Sequence, residues 1–208
     1  MGGGKMRMDY VKETKEIFEK AFAQYGDDTR SCLWERPMIM RYEELKKIIP
    51  ESLEGKSILE IGCGLGGLYE YLVKDCKIQN IQYTGIDIVD GMIETAKKKY
   101  PNAEFMVWDV FEKKLERQFD YVILCGVFNV TTGNDDAFMK KMLSHAYSYC
   151  EKGMAFNYIS NYVNFKSEEM AYHNPEDIFS FCVKNLTKKV NLFHHYAKCD
   201  VAMYLHKE

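Results

Sequence analysis

The segment Ser57–Gly67 constrains the fold of this chain more than any other, because it combines a strand, a tight turn and a helix start. It reads SILEIGCGLGG, and a helix-period pattern begins at Leu68. Glycine accepts positive φ and lets the backbone approach a ligand closely. The unpaired N–H groups of a helix start offer hydrogen bonds to an anionic or polar ligand. The segment therefore predicts a binding loop for a nucleotide-type ligand.

Short apolar runs alternate with helix-period segments along the rest of the chain. The pattern predicts strands over 57–61, 82–87, 103–107, 119–125, 154–159, 190–195 and 200–205. Helices are expected over 9–25, 37–49, 68–73, 90–100, 136–150 and 175–186, and Gly153 is expected to end the fifth of them. This order predicts an α/β, Rossmann-like fold: a seven-stranded, mostly parallel sheet with an antiparallel C-terminal hairpin strand, helices on both faces, and two N-terminal cap helices.

Length and composition favour one globular unit. With 208 residues, 47% of them hydrophobic, the chain can bury a full core. We expect a single domain over 1–208, with N-terminal cap helices at about 9–50, a Rossmann-like core at 57–208 and a flexible tail at 1–5. No apolar run is long enough to span a bilayer or to form a signal peptide, which predicts a soluble, cytoplasmic protein without membrane partners.

The net charge and the cysteine content limit the classes of partner and the kinds of site that the chain can have. A formal charge of −3 gives no general electrostatic attraction for nucleic acid, so nucleic-acid partners are disfavoured. The seven cysteines are odd in number and form no CxxC pair, which favours reduced, packed thiols over disulfides or a metal site. The sequence does not indicate the oligomeric state.

The glycine pattern alone leaves two cofactors open. Gly62-x-Gly64-x-Gly66 also fits a dinucleotide fingerprint that ends at Gly67. Asp87 ends the second strand, where a carboxylate can accept hydrogen bonds from both ribose hydroxyls of either cofactor. Asp109 follows the third strand and places an acid and the next backbone N–H where an adenine edge can be read.

Three further stretches accompany the loop: Gly85-Ile86-Asp87, Asp109, and Phe119 to Ile123. Together with Leu59 to Gly66 they resemble the class I S-adenosylmethionine (SAM)-dependent methyltransferases, over about 57–205. The resemblance implies SAM as the cofactor and S-adenosylhomocysteine (SAH) as its product. It also implies cofactor contacts from Glu60, Gly62, Cys63, Gly64, Gly66, Asp87, Ile88, Met92, Asp109, Val110 and Cys125. Apart from the resemblance, Arg41 of the cap is a candidate to pair with the cofactor carboxylate, because a guanidinium binds carboxylates well.

The acceptor is expected over the carboxyl ends of the first, fourth and fifth strands. Histidine suits a general base by its ordinary pKa, and His173 is the leading candidate for that role, with Tyr172 and Asn129 as further catalytic residues. The predicted acceptor contacts are Tyr25, Trp34, Phe128, Tyr158, Asn161, Tyr162 and His194. Methyl transfer from a sulfonium requires mainly alignment and exclusion of water, so no metal is predicted.

Several functions stay open at this point. The first is methyl transfer to an O or N atom of a small-molecule metabolite or natural product. The second is methyl transfer to a protein, peptide or RNA. From other classes, an NAD(P)-dependent oxidoreductase and a non-catalytic cofactor-binding module fit the same loop. The fourth strand is followed by Cys125-Gly126-Val127-Phe128-Asn129 rather than Asn/Asp-Pro-Pro-Tyr/Phe, which argues against amino-nucleobase acceptors.

Overall fold

The computed structural model of the chain describes residues 3–33, 39–49, 55–197 and 199–207. It confirms the predicted α/β architecture. Seven strands form one sheet in the order β3-β2-β1-β4-β5-β7-β6. The strands are β1 (Ser57–Ile61), β2 (Gln82–Asp87), β3 (Glu104–Val107), β4 (Phe119–Leu124), β5 (Cys150–Ile159), β6 (Val190–Phe193) and β7 (Asp200–His206).

The first five strands are parallel, and the reversal predicted for the C-terminal hairpin lies at β7. This strand pairs antiparallel with β5 on one side and with β6 on the other. In the centre, β1 pairs with β2 in the register Ser57↔Gln82 and with β4 in the register Ile58↔Tyr121. The carboxyl ends of β1, β2 and β4 therefore lie side by side at one edge of the sheet.

Helices cover both faces of the sheet, and their bounds are α1 (Gly3–Tyr25), α2 (Ile39–Lys46), α3 (Gly67–Glu70), α4 (Asp90–Lys99), α5 (Asp135–Tyr149) and α6 (Pro175–Asn185). One buried cluster joins the sheet to α5 and α6 through residues such as Leu143 and Ile178. A second joins the opposite face to α2, α3 and α4 through residues such as Leu45 and Ile93. None of the helices in the described ranges is long and apolar enough to cross a membrane.

The start of α6 follows directly from its sequence. The Asn174 side chain accepts a hydrogen bond from the Asp177 backbone N–H at 3.0 Å. Pro175 occupies the first helical position, where its missing N–H costs nothing, and two acidic residues follow in the first turn. The cap, the proline and the favourable interaction of the acids with the helix dipole fix this boundary at the predicted position.

Three predicted boundaries require correction. Helix α1 begins at Gly3, before the predicted Asp9, so it includes part of the predicted tail. The second cap helix ends at Lys46, and its predicted proline boundaries Pro37 and Pro50 lie outside the described residues. Gly153 does not end α5, because the chain passes directly from Tyr149 into β5.

Gly153 has a packing role instead. It lies inside β5, where a Cβ would come within 3.0 Å of both the Ile48 side chain and the Leu205 carbonyl oxygen. The missing side chain thus lets the turn that follows α2 pack on the sheet. A glycine inside a strand commonly marks such a close approach.

Candidate functional site

The glycine turn after β1 is held in shape by its own backbone hydrogen bonds. The N–H groups of Gly62 and Cys63 donate to the Ile86 carbonyl oxygen at 2.8 and 3.1 Å. Gly64 has φ +51°, and a Cβ there would lie 2.9 Å from Cys32 Sγ. Glycine at this position therefore satisfies both a left-handed backbone and a close approach.

Asp87 fixes the same turn from the end of β2. Its Oδ2 accepts from the Gly64 N–H at 2.8 Å, and its Oδ1 accepts from the Val89 N–H at 3.0 Å. Burial raises the pKa of the Asp87 carboxyl, and the backbone N–H bonds oppose that rise. Each carboxylate oxygen offers two lone-pair sites, so capacity for hydroxyl donors remains. Asp87 therefore both shapes the loop and presents acceptors to the cleft beside it.

Glu60 lies beneath the loop. Its side chain is 2% exposed, and its Oε2 accepts a hydrogen bond from the Tyr83 hydroxyl. Burial raises the pKa of Glu60 to about 8, with the hydrogen bond from Tyr83 acting against the rise and the Asp87 charge adding to it. This predicted cofactor residue is thus separated from the cleft and supports the strand under it.

A cleft opens above the carboxyl ends of β1, β2 and β4. Its walls come from the glycine turn, the ends of β2, β3 and β4, the first turns after them, α5, and the covering helix α1. The lining residues are Tyr10, Val11, Thr14, Phe18, Cys32, Ile61, Gly62, Gly64, Ile86, Asp87, Ile88, Met92, Trp108, Asp109, Val110, Phe111, Cys125, Gly126, Val127, Phe138 and Met142. Most of this wall is apolar, and Asp87 and Asp109 are its two carboxylates.

The far end of the cleft carries the features expected for an adenine site. Met92 is buried to 1% exposure and packs with Phe18 and Ile88. Asp109 follows β3, and its Oδ1 accepts from the Phe111 N–H at 2.7 Å, which orients the carboxylate. These side chains give this end of the cleft an apolar surface with an acidic edge, the polarity that an adenine ring and its amino group require.

The predicted cofactor residues divide into two groups. The wall contains Gly62, Gly64, Asp87, Ile88, Met92, Asp109, Val110 and Cys125. Glu60, Cys63, Gly66 and Arg41 lie behind or away from it. Gly66 has φ +80° and caps α3, while the Cys63 side chain is buried in the core on the α2 side of the sheet. Their direct contact with a cofactor stays a prediction that the geometry does not favour.

Arg41 has a partner within the protein. Its Nη2 donates to Asp200 Oδ1 at 2.8 Å, and its Nε donates to the other carboxylate oxygen. Both side chains are about 95% buried. This bidentate pair joins α2 to the start of β7, so Arg41 would have to leave a buried carboxylate to reach a cofactor. No local sequence pattern indicates this pairing, because the two residues are 159 positions apart.

The three predicted catalytic residues flank the ends of β4 and β5. The His173 ring is 1% exposed; its Nδ1 lies 2.7 Å from Asp136 Oδ1 and its Nε2 3.1 Å from the Phe128 carbonyl oxygen. The Tyr172 hydroxyl accepts from the Ser167 N–H at 2.9 Å. Asn129 is 1% exposed, and neither polar atom of its side chain has a hydrogen-bond partner among the described residues. None of the three lies on the cleft wall.

The predicted acceptor residues are scattered. Tyr158 and Phe128 are buried in the core between the sheet and α5. Tyr162 is 59% exposed and donates a hydrogen bond to Glu176 Oε1 at 2.6 Å. Asn161 is half-buried and its Oδ1 has no partner in the described part of the chain. His194 is exposed and lies against the Tyr162 ring. The Tyr25 ring packs under the Arg30 guanidinium. Trp34 lies outside the described residues.

Helix α1 contributes cleft residues that the sequence analysis did not single out. Val11, Thr14 and Phe18 follow one another at helical spacing and line the cleft from above. Tyr10 stacks on Phe138 of α5 with ring centroids 3.7 Å apart. The signal was present as the i, i+3, i+7 spacing of one helix face. The pattern did not show whether that face covers the core or a ligand.

The glycine loop, the carboxylate at the end of β2, the apolar cleft that reaches Asp109 and the strand order are together typical of a class I SAM-dependent methyltransferase. Comparison with known proteins agrees, since residues 58–153 match the family model described as a methyltransferase domain. A Mycobacterium tuberculosis protein that is named as a methyltransferase is 28% identical over 160 residues, which cover 73% of this chain and 93% of that protein.

Solved structures show the same fold. The magnesium protoporphyrin IX methyltransferase of Synechocystis PCC 6803, crystallised with SAH, superimposes with a TM-score of 0.69 at 16% identity, covering 95% of this chain and 99% of that one. Human N-acetylserotonin methyltransferase in complex with SAM gives a TM-score of 0.65 at 14% identity, covering 93% of this chain and 59% of that one.

Residues 58–153 therefore form a methyltransferase domain, and the chain has the fold of the class I SAM-dependent methyltransferases, whose cofactor is SAM. This identification confirms the resemblance and replaces the nicotinamide-dependent alternative. The residues present fit the cofactor. A backbone turn without room for a Cβ at Gly64, a carboxylate at the end of β2 and an apolar part of the cleft that ends at Asp109 suit its amino-acid, ribose and adenine parts. The contacts of individual residues with the cofactor stay predictions.

Proposed function

We propose that this methyltransferase acts on an O or N atom of a small-molecule metabolite or natural product. The observation that carries the proposal is the position of α1, which lies across the cleft as a cover. An acceptor that reaches the cleft must fit under or beside this helix. That arrangement favours a compact molecule over a folded protein or an RNA strand.

Four contacts hold α1 over the cleft. Lys15 Nζ lies 2.9 Å from Asp90 Oδ2 at the first residue of α4. The Phe22 ring packs so closely on Gly91 that a Cβ there would clash with it. Lys99 Nζ lies 3.6 Å from Asp27 Oδ2 just beyond α1, and the Tyr10–Phe138 stack fixes the other end. The cover is thus attached at both ends of the cleft.

The acceptor is proposed to lie where β4 and β5 end, beside Cys125 and Gly126 of the cleft wall. When bound, SAM supplies a methyl group carried on a sulfonium. The protein aligns the two reactants and excludes water, and the apolar wall formed by Val11, Val127 and Phe138 suits that task. The two solved relatives named above are described as methyltransferases of magnesium protoporphyrin IX and N-acetylserotonin, both compact molecules.

The hydrogen bonds of His173 favour a structural role, in which it joins neighbouring segments, over the role of general base. Both partners of its ring are hydrogen-bond acceptors, one on α5 and one in the turn after β4. Its backbone joins the same region, since the His173 N–H donates to the Ile159 carbonyl oxygen at 2.9 Å. The ring would have to leave two partners to accept a proton from an acceptor in the cleft.

The size class of the acceptor can be tested without knowing its identity. Purified enzyme is incubated with SAM labelled in the methyl group and an extract of its own cells, separated beforehand into metabolites below about 1 kDa, RNA and protein. Enzyme-dependent label should enter the metabolite fraction. Mass spectrometry of that fraction then gives the acceptor and the atom type.

Label entering the protein or RNA fraction instead would overturn the small-molecule proposal and support the second alternative. The background control is Asp87→Ala, which removes the loop anchors at Gly64 and Val89 and therefore cofactor binding. Label that persists with this variant does not come from the enzyme. The absence of label from all three fractions would contradict turnover of any acceptor present in the cell.

A further inference from the structure

Asn157 lies on β5 with its side chain fully buried, at 0% exposure. Its Oδ1 accepts a hydrogen bond from the Gly126 N–H at 2.8 Å. Its Nδ2, by contrast, is buried with no hydrogen-bond partner among the described residues. Buried donors are normally satisfied, because an unmade hydrogen bond costs the full desolvation of the group. A group outside the described chain is therefore expected to accept from Nδ2.

The position of Asn157 places this donor directly behind the cleft wall. Gly126, which its Oδ1 holds, lines the cleft together with Cys125. The register that pairs Leu124 with Phe156 continues β4 and β5 side by side up to this point. Asn157 is thus one hydrogen bond away from the part of the wall at which the acceptor is proposed to bind.

A second unsatisfied group lies on the same side of the sheet. The Tyr196 hydroxyl, in the turn between β6 and β7, is buried and has no hydrogen-bond partner within the described ranges. Its ring packs on the same core cluster as Cys125. Burial, followed by the charge of Asp200, raises the pKa of Tyr196 well above its ordinary value, while Arg41 opposes the rise. The phenol is therefore neutral and able to donate.

The charges around these two groups indicate the chemistry of a ligand. Arg41 and Asp200 form a bidentate pair, so their opposite charges offset each other. Burial also raises the pKa of the Cys125 thiol, which keeps it neutral. The Glu44 carboxylate, whose charge also acts on Tyr196, is paired with Lys47 Nζ at 2.6 Å. Two neutral donors among charges that are already paired within the protein suit an uncharged oxygen that accepts two hydrogen bonds. A phosphate or other strong anion would lack a compensating cation here.

We propose that Asn157 and Tyr196 form a recognition subsite that binds a carbonyl oxygen of the methyl acceptor. The inference rests on the proposed function, because it places the acceptor beside Cys125 and Gly126. It adds the chemical feature by which the acceptor is recognised. Asn157 has two tasks: Oδ1 positions the Gly126 backbone, and Nδ2 donates to the ligand.

The test uses the full chain saturated with SAH and labelled with ¹⁵N. The probes are benzamide, which has a neutral carbonyl oxygen, and toluene, which has none. The side-chain amide signal of Asn157 is assigned in a proton–nitrogen correlation spectrum by its loss in Asn157→Asp. Benzamide should shift this signal along a saturable curve, and toluene should leave it unchanged.

Tyr196→Phe carries the decisive comparison, because it removes a hydroxyl that the described protein does not use. It should retain the wild-type melting temperature and weaken benzamide binding about 3- to 10-fold, the loss expected for one neutral hydrogen bond. The matched control is Tyr204→Phe on the neighbouring strand. The Tyr204 hydroxyl donates to the Glu44 backbone and side chain, so this variant should lose stability and bind benzamide as the wild type does.

Equal responses of the Asn157 signal to benzamide and toluene would overturn the subsite, and so would an unchanged benzamide affinity in Tyr196→Phe. A third contrary result is a buried water that still shows an exchange peak with the Asn157 amide when benzamide is saturating, because the water and not benzamide would then be the acceptor. None of these measurements involves turnover. Label found in protein or RNA would overturn the small-molecule proposal and leave the probe result standing. Once the acceptor is identified, Tyr196→Phe should raise its KM about 3- to 10-fold and leave the KM of SAM unchanged.

Discussion

Replacing Glu60 by glutamine should change how the stability of this protein depends on pH. The carboxyl lies in the core under the glycine loop, and burial raises its pKa from 4.5 to about 8. Between those two values the unfolded chain is ionised at this position and the folded chain is protonated. The folded state therefore binds more protons, and the free energy of unfolding falls as pH rises through this window.

The size of the effect follows from the pKa difference. Each pKa unit corresponds to about 1.36 kcal/mol, so the full rise is equivalent to about 5 kcal/mol. The loss begins near the ordinary pKa of glutamate and is complete above about pH 8. Glutamine can accept the same hydrogen bond from Tyr83 and has no proton to lose. Glu60→Gln should therefore be less sensitive to pH by about 3–5 kcal/mol over this range.

Urea unfolding of the cofactor-free protein at pH 5, 7 and 9 measures this difference. The wild type should lose stability relative to Glu60→Gln at each step up to pH 9. Glu70→Gln is the control, because Lys74 holds the pKa of that carboxyl below its usual range and its titration lies outside the window. Parallel pH profiles for wild type and Glu60→Gln would refute the reasoning about the buried carboxyl.

Three further predictions concern the site and its supports. Asp87→Asn should weaken SAH binding by about 1.5–3 kcal/mol, measured by titration calorimetry, since charge-assisted bonds to hydroxyls and loop N–H groups become neutral ones; an unchanged Kd would show that Asp87 does not bind the ribose. Arg41→Met should cost about 3–5 kcal/mol of stability in urea by leaving Asp200 unpaired, and adding Asp200→Leu should restore most of it; an equally unstable double variant would contradict the pairing argument. His173→Ala should lower the free energy of unfolding by about 1–3 kcal/mol and leave the Kd of SAH unchanged, whereas wild-type stability with reduced kcat would favour the role as base.

The architecture was predictable because its signals are local. The apolar run before Gly62, the glycines after it and Asp87 at the end of the next strand lie within 30 residues of one another. Their spacing reflects one βαβ unit, whose geometry leaves little freedom. The cap at Asn174 is similarly local. For such elements the residues that determine the structure are the residues that form it.

The remaining features depend on contacts between distant segments. The sequence pattern places Arg41 in a cap helix, but only the assembled fold brings Asp200 next to it. His173 follows a polar loop in the sequence, and only the packing of α5 against the turn after β4 buries it. Gly153 resembles a helix stop because it follows a helical pattern. The packing of Ile48 against it, which is the reason for the glycine, is not visible in the sequence. Pairings of this kind are set by tertiary geometry, which single-sequence patterns do not contain.

The place of β7 between β5 and β6 has a consequence for synthesis on the ribosome. Some 40 residues separate the end of β5 at Ile159 from the start of β7 at Asp200. At typical elongation rates of 5–20 residues per second, β5 therefore waits about 2–8 s for its antiparallel neighbour. During that time its last seven residues, all buried in the finished protein, form an open and largely apolar strand edge. During this interval the open edge of β5 can pair with another chain, and β5 is a segment that a chaperone would need to protect.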